Sequence, residues 1–150
     1  MDKKESLLQL LESFQSKYFM TIGWRLEKNA QIILDHLHDD ETIEYAFFAQ
    51  KNANPLNILG TAVVALTNKR LLIGRDRVVV GYFFDSITPD MFNDLKVKSG
   101  IIWGKLEIDT IKEFVVFSNI DKRALTEIEK KISNFMIDGK KQIECGIEDA

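Results

Sequence analysis

Residues 58–77, ILGTAVVALTNKRLLIGRDR, constrain the fold of this chain more than any other stretch. Two runs rich in β-branched and aliphatic residues flank the polar turn Thr67-Asn68-Lys69. Runs of that composition suit strands. A connection that short joins antiparallel neighbours, because parallel neighbours need a crossover of about a dozen residues or more.

The same punctuation continues on both sides. Residues 42–50, with Ile43, Tyr45, Phe47 and Phe48, read as a strand before the hairpin, and Lys51-Asn52-Ala53-Asn54-Pro55 as a loop. The hairpin strands are expected at 59–67 and 70–75, and a fourth strand at 78–84. Residues 85–89 end in Pro89, which cannot donate to a central ladder, so a break is expected there. Alternation of Leu95 and Val97 with Asp94, Lys96 and Lys98 marks a fifth strand at 92–98. A turn at Ser99-Gly100 leads to a sixth at 101–109, and a seventh is expected at 111–117. Asp121 then caps a helix running to about 137, with Leu125, Ile128, Ile132 and Phe135 on one face and Gly139 as its stop.

Before the strands the period is helical. Leu7, Leu11, Phe14 and Tyr18 make one stripe within residues 2–19, and Ala30, Ile33, Leu34 and Leu37 another within 27–37. The expected architecture is mainly β: a seven-stranded antiparallel barrel or pair of packed sheets, capped by a C-terminal helix. Residues 1–40 form a helical extension, 41–138 the β domain and 139–150 a flexible tail. A length of 150 residues fits one core of this kind.

Composition narrows the function. The net charge of −3 leans away from a general nucleic-acid binder, whose affinity comes from neutralising phosphates. The lone Cys145 can form no intramolecular disulfide and no cysteine-type zinc site. Gln9 and Glu12 interrupt the first apolar run, so no signal peptide is expected, and a cytoplasmic location is.

The segment ALTNKRLLIGR at 65–75, followed by Phe84-Asp85-Ser86-Ile87, resembles the small bacterial PH-domain proteins. Asp121-Lys122-Arg123-Ala124, opening the last helix, is similar to the same family. The resemblance implies a pleckstrin-homology-like barrel over roughly residues 41–137 and a non-catalytic module that binds a protein partner or its own copies. PH domains that bind phosphoinositides use a basic cluster in the first hairpin loop. Here residues 51–57 hold one lysine, a departure from that pattern.

Candidate sites follow from side-chain chemistry. Lys69, Arg70, Arg75 and Arg77 could meet phosphate or carboxylate, since guanidinium groups fork onto both. Two lie at one end of a strand and two at the other, ~15–20 Å apart, so they need not share a pocket. Arg70 could instead tie its turn to a carboxylate such as Asp85. His36 and His38, near Asp35, Asp39, Asp40 and Glu41, do not share a helix face, and no metal site is expected. No GxSxG, HExxH or glycine-rich phosphate loop occurs, so no catalytic residue and no cofactor is assigned. Gly74 and Gly81 stand alone and are expected at bulges or bends. Trp24 and Trp103 are candidates for a membrane interface or for packing on the helices. The stripe Leu7, Leu11, Phe14 and Tyr18 has no evident partner in its own domain and, with Trp24 and Trp103, is the expected docking face. The alternative function is binding of anionic lipid headgroups through the basic residues.

Overall fold

The computed structural model describes residues 2–51, 60–77 and 80–149, with side chains as far as residue 146. Of the loop expected at 51–57, residues 52–57 lie outside the described residues, as do residue 59 of the second expected strand and residues 78 and 79 of the fourth.

Helices α1 (Lys3–Lys17) and α2 (Leu26–His36) precede seven strands: β1 (Ile43–Gln50), β2 (Thr61–Thr67), β3 (Leu71–Asp76), β4 (Tyr82–Ile87), β5 (Phe92–Ser99), β6 (Trp103–Thr110) and β7 (Phe114–Asp121). Helix α3 (Leu125–Asp149) closes the chain. The strands form one curled antiparallel sheet in the order β4-β3-β2-β1-β7-β6-β5. Among the described residues, β1 and β7 meet at the pair Gln50 with Ser118, and the sheet curls into a half-barrel.

Its first half is buried on both faces. Phe48, Val63 and Gly74 stand in one row across β1, β2 and β3. Helix α2 lies directly on that row: a Cβ on Gly74 would sit 2.9 Å from the Asn29 carbonyl and 3.0 Å from Ile33. The expected bulge at Gly74 is therefore absent, and the glycine makes room for a helix in a regular strand. Asn29 fixes the approach, donating to the Thr61 carbonyl at 3.2 Å and accepting from the Asp76 amide at 2.7 Å. The next row, Phe47, Val64 and Ile73, faces the inside of the half-barrel. There Phe47 meets Phe117 of β7 edge-on at 6.1 Å.

Helix α1 packs along β1. Leu7, Leu11, Phe14 and Tyr18 are buried, and Phe14 lies 5.5 Å from Phe48 and 6.0 Å from Phe47, ring centre to ring centre. The expectation that this stripe lacks a partner in its own chain is corrected: each side chain buried there contributes about 1.5–3 kcal/mol. The helix is also latched to the opposite half of the fold. Glu127 of α3 accepts from Lys17 at 2.7 Å, from Tyr18 at 3.1 Å and from Tyr45 of β1 at 2.8 Å. Burial pushes the Glu127 carboxyl up, but these donors outweigh it and hold the pKa below the ordinary value.

Three further boundaries differ from the sequence reading. Strand β4 extends to Ile87, so Asp85-Ser86-Ile87 pairs with Ile73, Leu72 and Leu71 rather than breaking the sheet. Burial of Ile87 rewards the pairing. Strand β7 runs to Asp121, which accepts from the Arg123 amide and starts a short 3-10 turn before α3. Helix α3 continues past Gly139 to Asp149, so residues expected as a tail are helical. A Cβ at 139 would overlap the Pro89 ring, so this glycine serves a close approach between α3 and the β4–β5 connection. Among the described residues no helix is long and apolar enough to cross a membrane.

Alanine stabilises an open helix position by about 1 kcal/mol over glycine. Gly139→Ala is nevertheless expected to lower stability by about 1–2 kcal/mol, because Pro89 cannot move aside. Gly146→Ala, with nothing within 4 Å, serves as the control and should not lower it. Thermal unfolding followed by circular dichroism compares the two, and a raised Tm for Gly139→Ala would refute the close-packing account.

Candidate functional site

The four expected basic residues fall into two unlike groups. Lys69 and Arg70 lie at the β2–β3 turn and are already neutralised. Lys69 pairs with Asp40. Arg70 forks onto Glu41, with Nη2–Oε1 at 2.8 Å and Nε–Oε2 at 3.1 Å, and also donates to the His36 carbonyl at 3.0 Å. Thr67 donates to the other face of that carboxylate at 2.7 Å and accepts from the amides of Lys69 and Arg70. The structural role expected for Arg70 is real, but its partner is Glu41; Asp85 is held by Lys112 instead, at 2.7 Å. The turn motif ties the end of α2 to the sheet.

Glu41 has no exposed surface. Burial pushes its pKa up, yet Arg70, the His38 amide and Thr67 overcome burial and bring it from 4.5 to about 2. The folded value lies below the unfolded one, so the contribution to stability is complete above pH 4.5 and fades as pH falls towards 2. Replacing Glu41 with Gln should cost about 3 kcal/mol at neutral pH. Urea denaturation at a series of pH values should show the gap between the two proteins closing below pH 4.5; a constant gap would mean that charge is not its source.

Arg75 and Arg77 behave differently. Arg75 stands directly opposite Phe83 in the β3–β4 ladder, and cross-strand neighbours share a face. Its guanidinium carbon lies 4.7 Å from the Phe83 ring centre. Arg77, two residues on, reaches the same ring at 5.0 Å, and the ammonium of Lys51 lies 6.0 Å from it. Three cations thus surround one ring that is 45% exposed. Among the described residues Arg75 and Arg77 are paired with no acid, the charge of Lys51 acts on Glu113, and Nε of Arg75 is buried without a hydrogen-bond partner. Burial, and then the neighbouring charge of Arg77, lower the pKa of Arg75. That direction means the cluster holds its positive charge at a cost, which a bound anion would remove.

Asp85, two residues along β4 from Phe83, does not neutralise the cluster. Lys112 binds it, and Glu113 shares a hydrogen bond with it. The hydrogen bond with Asp85 and burial push Glu113 up, while Asp85, though also raised by burial, is held low by Glu113 and Lys112.

The remaining expected residues are placed as follows. His36 stacks on Phe84 at 4.0 Å, with Nδ1 2.7 Å from the Ile32 carbonyl. His38 lies beside Glu41 at 3.5 Å. No group of histidine, cysteine or acidic residues among those described could hold a metal ion. Trp24 and Trp103 are both partly exposed; Leu7, Leu11, Phe14 and Tyr18, as shown above, are not. Lys51 and Phe83 escaped the sequence reading because only the β3–β4 register shows which ring Arg75 meets. A groove of about 770 Å³ also runs between α3 and the start of β1, with Glu44, Asp90 and Asp138 opposed by Lys69 and Lys131.

Comparison with known families matches residues 37–134 to the family described as bacterial PH domain. Comparison with curated proteins found no match. Among solved structures, the chain is similar to a protein with a pleckstrin-homology domain from Shewanella loihica PV-4. Identity is 17%, with 75% of this chain and 98% of that one covered, and the TM-score is 0.47. A pleckstrin homology domain from Shewanella amazonensis SB2B is 18% identical, with 75% and 89% covered and a TM-score of 0.48.

Proposed function

This chain belongs to the bacterial PH-domain family, and from that premise we propose that it is a non-catalytic cytoplasmic module that holds an anionic group of its partner against Lys51, Arg75 and Arg77. The observation that carries the reading is the convergence of three cations, two of them guanidinium groups with no acidic partner among the described residues, on the half-exposed ring of Phe83. Two guanidinium groups side by side repel each other. A phosphate or carboxylate between them would accept from both forks and supply the missing partner for Nε of Arg75.

The partner is a protein presenting acidic or phosphorylated side chains. Binding through the α1 stripe is not part of this reading, because that stripe is buried under its own sheet. A phospholipid headgroup is the second reading, favoured by the exposed ring of Phe83 beside the cations, which is an arrangement suited to a membrane interface.

Titration by heteronuclear NMR with inorganic phosphate, an oligoglutamate peptide and glycerophosphate separates the sources of the anion. Arg75→Ala with Arg77→Ala is expected to weaken whichever probe binds by about tenfold or more, since each charged fork is worth over a kcal/mol. Lys69→Ala should leave it unchanged. Equal binding by the double variant, or no probe shifting the amides around Phe83, would refute the site.

A further inference from the structure

We propose that a second surface, the tip formed by Phe19, Met20, Ile101, Ile102 and Trp103, docks onto an anionic membrane. The β5–β6 hairpin narrows to a final pair, Ser99 with Gly104, and the Gly100 amide donates to the Trp103 carbonyl at 2.9 Å. That closure leaves Ile101 and Ile102 at the apex, with Ile101 90% exposed. The Trp103 indole donates to the Met20 carbonyl at 2.6 Å and draws the α1–α2 loop alongside. Phe19 and Met20 are exposed there too. Apolar side chains from two distant segments are thus assembled into one outward patch, where packing alone would have buried them.

The rim of the tip is cationic. Between Asp94 and Glu107 the sequence holds Lys96, Lys98 and Lys105 and no acid, in a chain whose net charge is −3. The guanidinium of Arg123 lies 4.9 Å from the Phe19 ring, and the Lys122 amide donates to the Ile102 carbonyl at 3.0 Å. Lys98 and Lys105 stand opposite each other in the ladder, where like charges repel. Glu107 offsets Lys98 at 3.0 Å, and Asp121 offsets Arg123 at 2.6 Å. Lys105 and Lys122 have no acidic partner among the described residues.

An apolar wedge with a tryptophan, ringed by lysines, matches the interface of an anionic bilayer. The side chains enter the headgroup layer and the lysines meet phosphates. A second copy fits poorly, because a symmetric contact would press one lysine rim against another. This surface is separate from the Phe83 cluster and does not depend on it.

The test is co-sedimentation of the full chain with vesicles of phosphatidylcholine and phosphatidylglycerol. A Trp24→Phe background leaves Trp103 as the reporting indole. The expected result is binding at low salt that weakens as salt rises, with a blue shift of Trp103 emission. Ile101→Asp should reduce partition by about tenfold or more, from the apolar burial lost. Lys105→Glu, which leaves the apex intact, should weaken binding and flatten its salt dependence. Lys69→Ala, at a turn lysine already paired with Asp40, should retain it. Absence of binding at low salt, undiminished binding by Ile101→Asp, or an unshifted indole would overturn the proposal. So would a Trp103 shift that follows protein concentration alone and vanishes in Ile101→Asp, which would assign the tip to a protein contact.

Discussion

Strands β1, β2 and β3 carry apolar side chains on both faces, and each face must be kept from water by a separate layer. The inside of the half-barrel covers one. Helix α2 covers the other, with Gly74 lowering the sheet surface beneath it, and α1 lies along β1, where Phe14 meets both Phe47 and Phe48. Strands β5 and β6 lack this double burial, and the outward side chains of β5 are exposed. The fold is therefore layered unevenly: three layers over β1–β3 and an open outer face over β5 and β6. Leu7, Leu11, Phe14, Ala30 and Ile33 of these helices share one buried cluster with the strands, so removing the helices would uncover apolar surface.

Charge is sorted with the same economy. Where a cation secures a joint, several donors hold its partner: Arg70 with Thr67 on the buried Glu41 at the end of α2, and Lys17 with two tyrosines on the half-buried Glu127. Where cations lack acids among the described residues, they gather on an aromatic ring at the surface, as Arg75 and Arg77 do on Phe83. A buried charge needs a fixed partner, whereas an exposed cation stacked on a ring, as Arg77 is, is tolerated because water still reaches it; the half-buried Arg75 beside it keeps an unmet donor. That distinction separates the residues that hold the fold from those free to meet something else.

Much of this was legible before any coordinates. Alternation at 92–109 marks half-buried strands, and the stripe Leu125, Ile128, Ile132 marks the closing helix. The double burial of β2 also leaves a trace, since TAVVALT is a continuous apolar run without alternation, the pattern of a strand covered on both faces, but it does not say that α1 lies nearby. Other features had no sequence signal. Gly139 looks like a helix stop and is instead a contact with Pro89, fifty residues away by number but adjacent in space. Arg75 and Arg77 look equivalent to Lys69 and Arg70 until Glu41 and Asp40 claim the latter pair.

What the sequence by itself determined is the inventory of elements, because periodicity and turn chemistry act over a few neighbouring residues. It determined the family as well, through the short run that ties the β2–β3 turn. Only the tertiary structure decided which apolar faces were covered, which cations kept an acid and which surfaces were left facing outward. Those outcomes depend on residues brought together across the sheet and from the two ends of the chain, and no local pattern records which distant side chain arrives to fill a face or neutralise a charge.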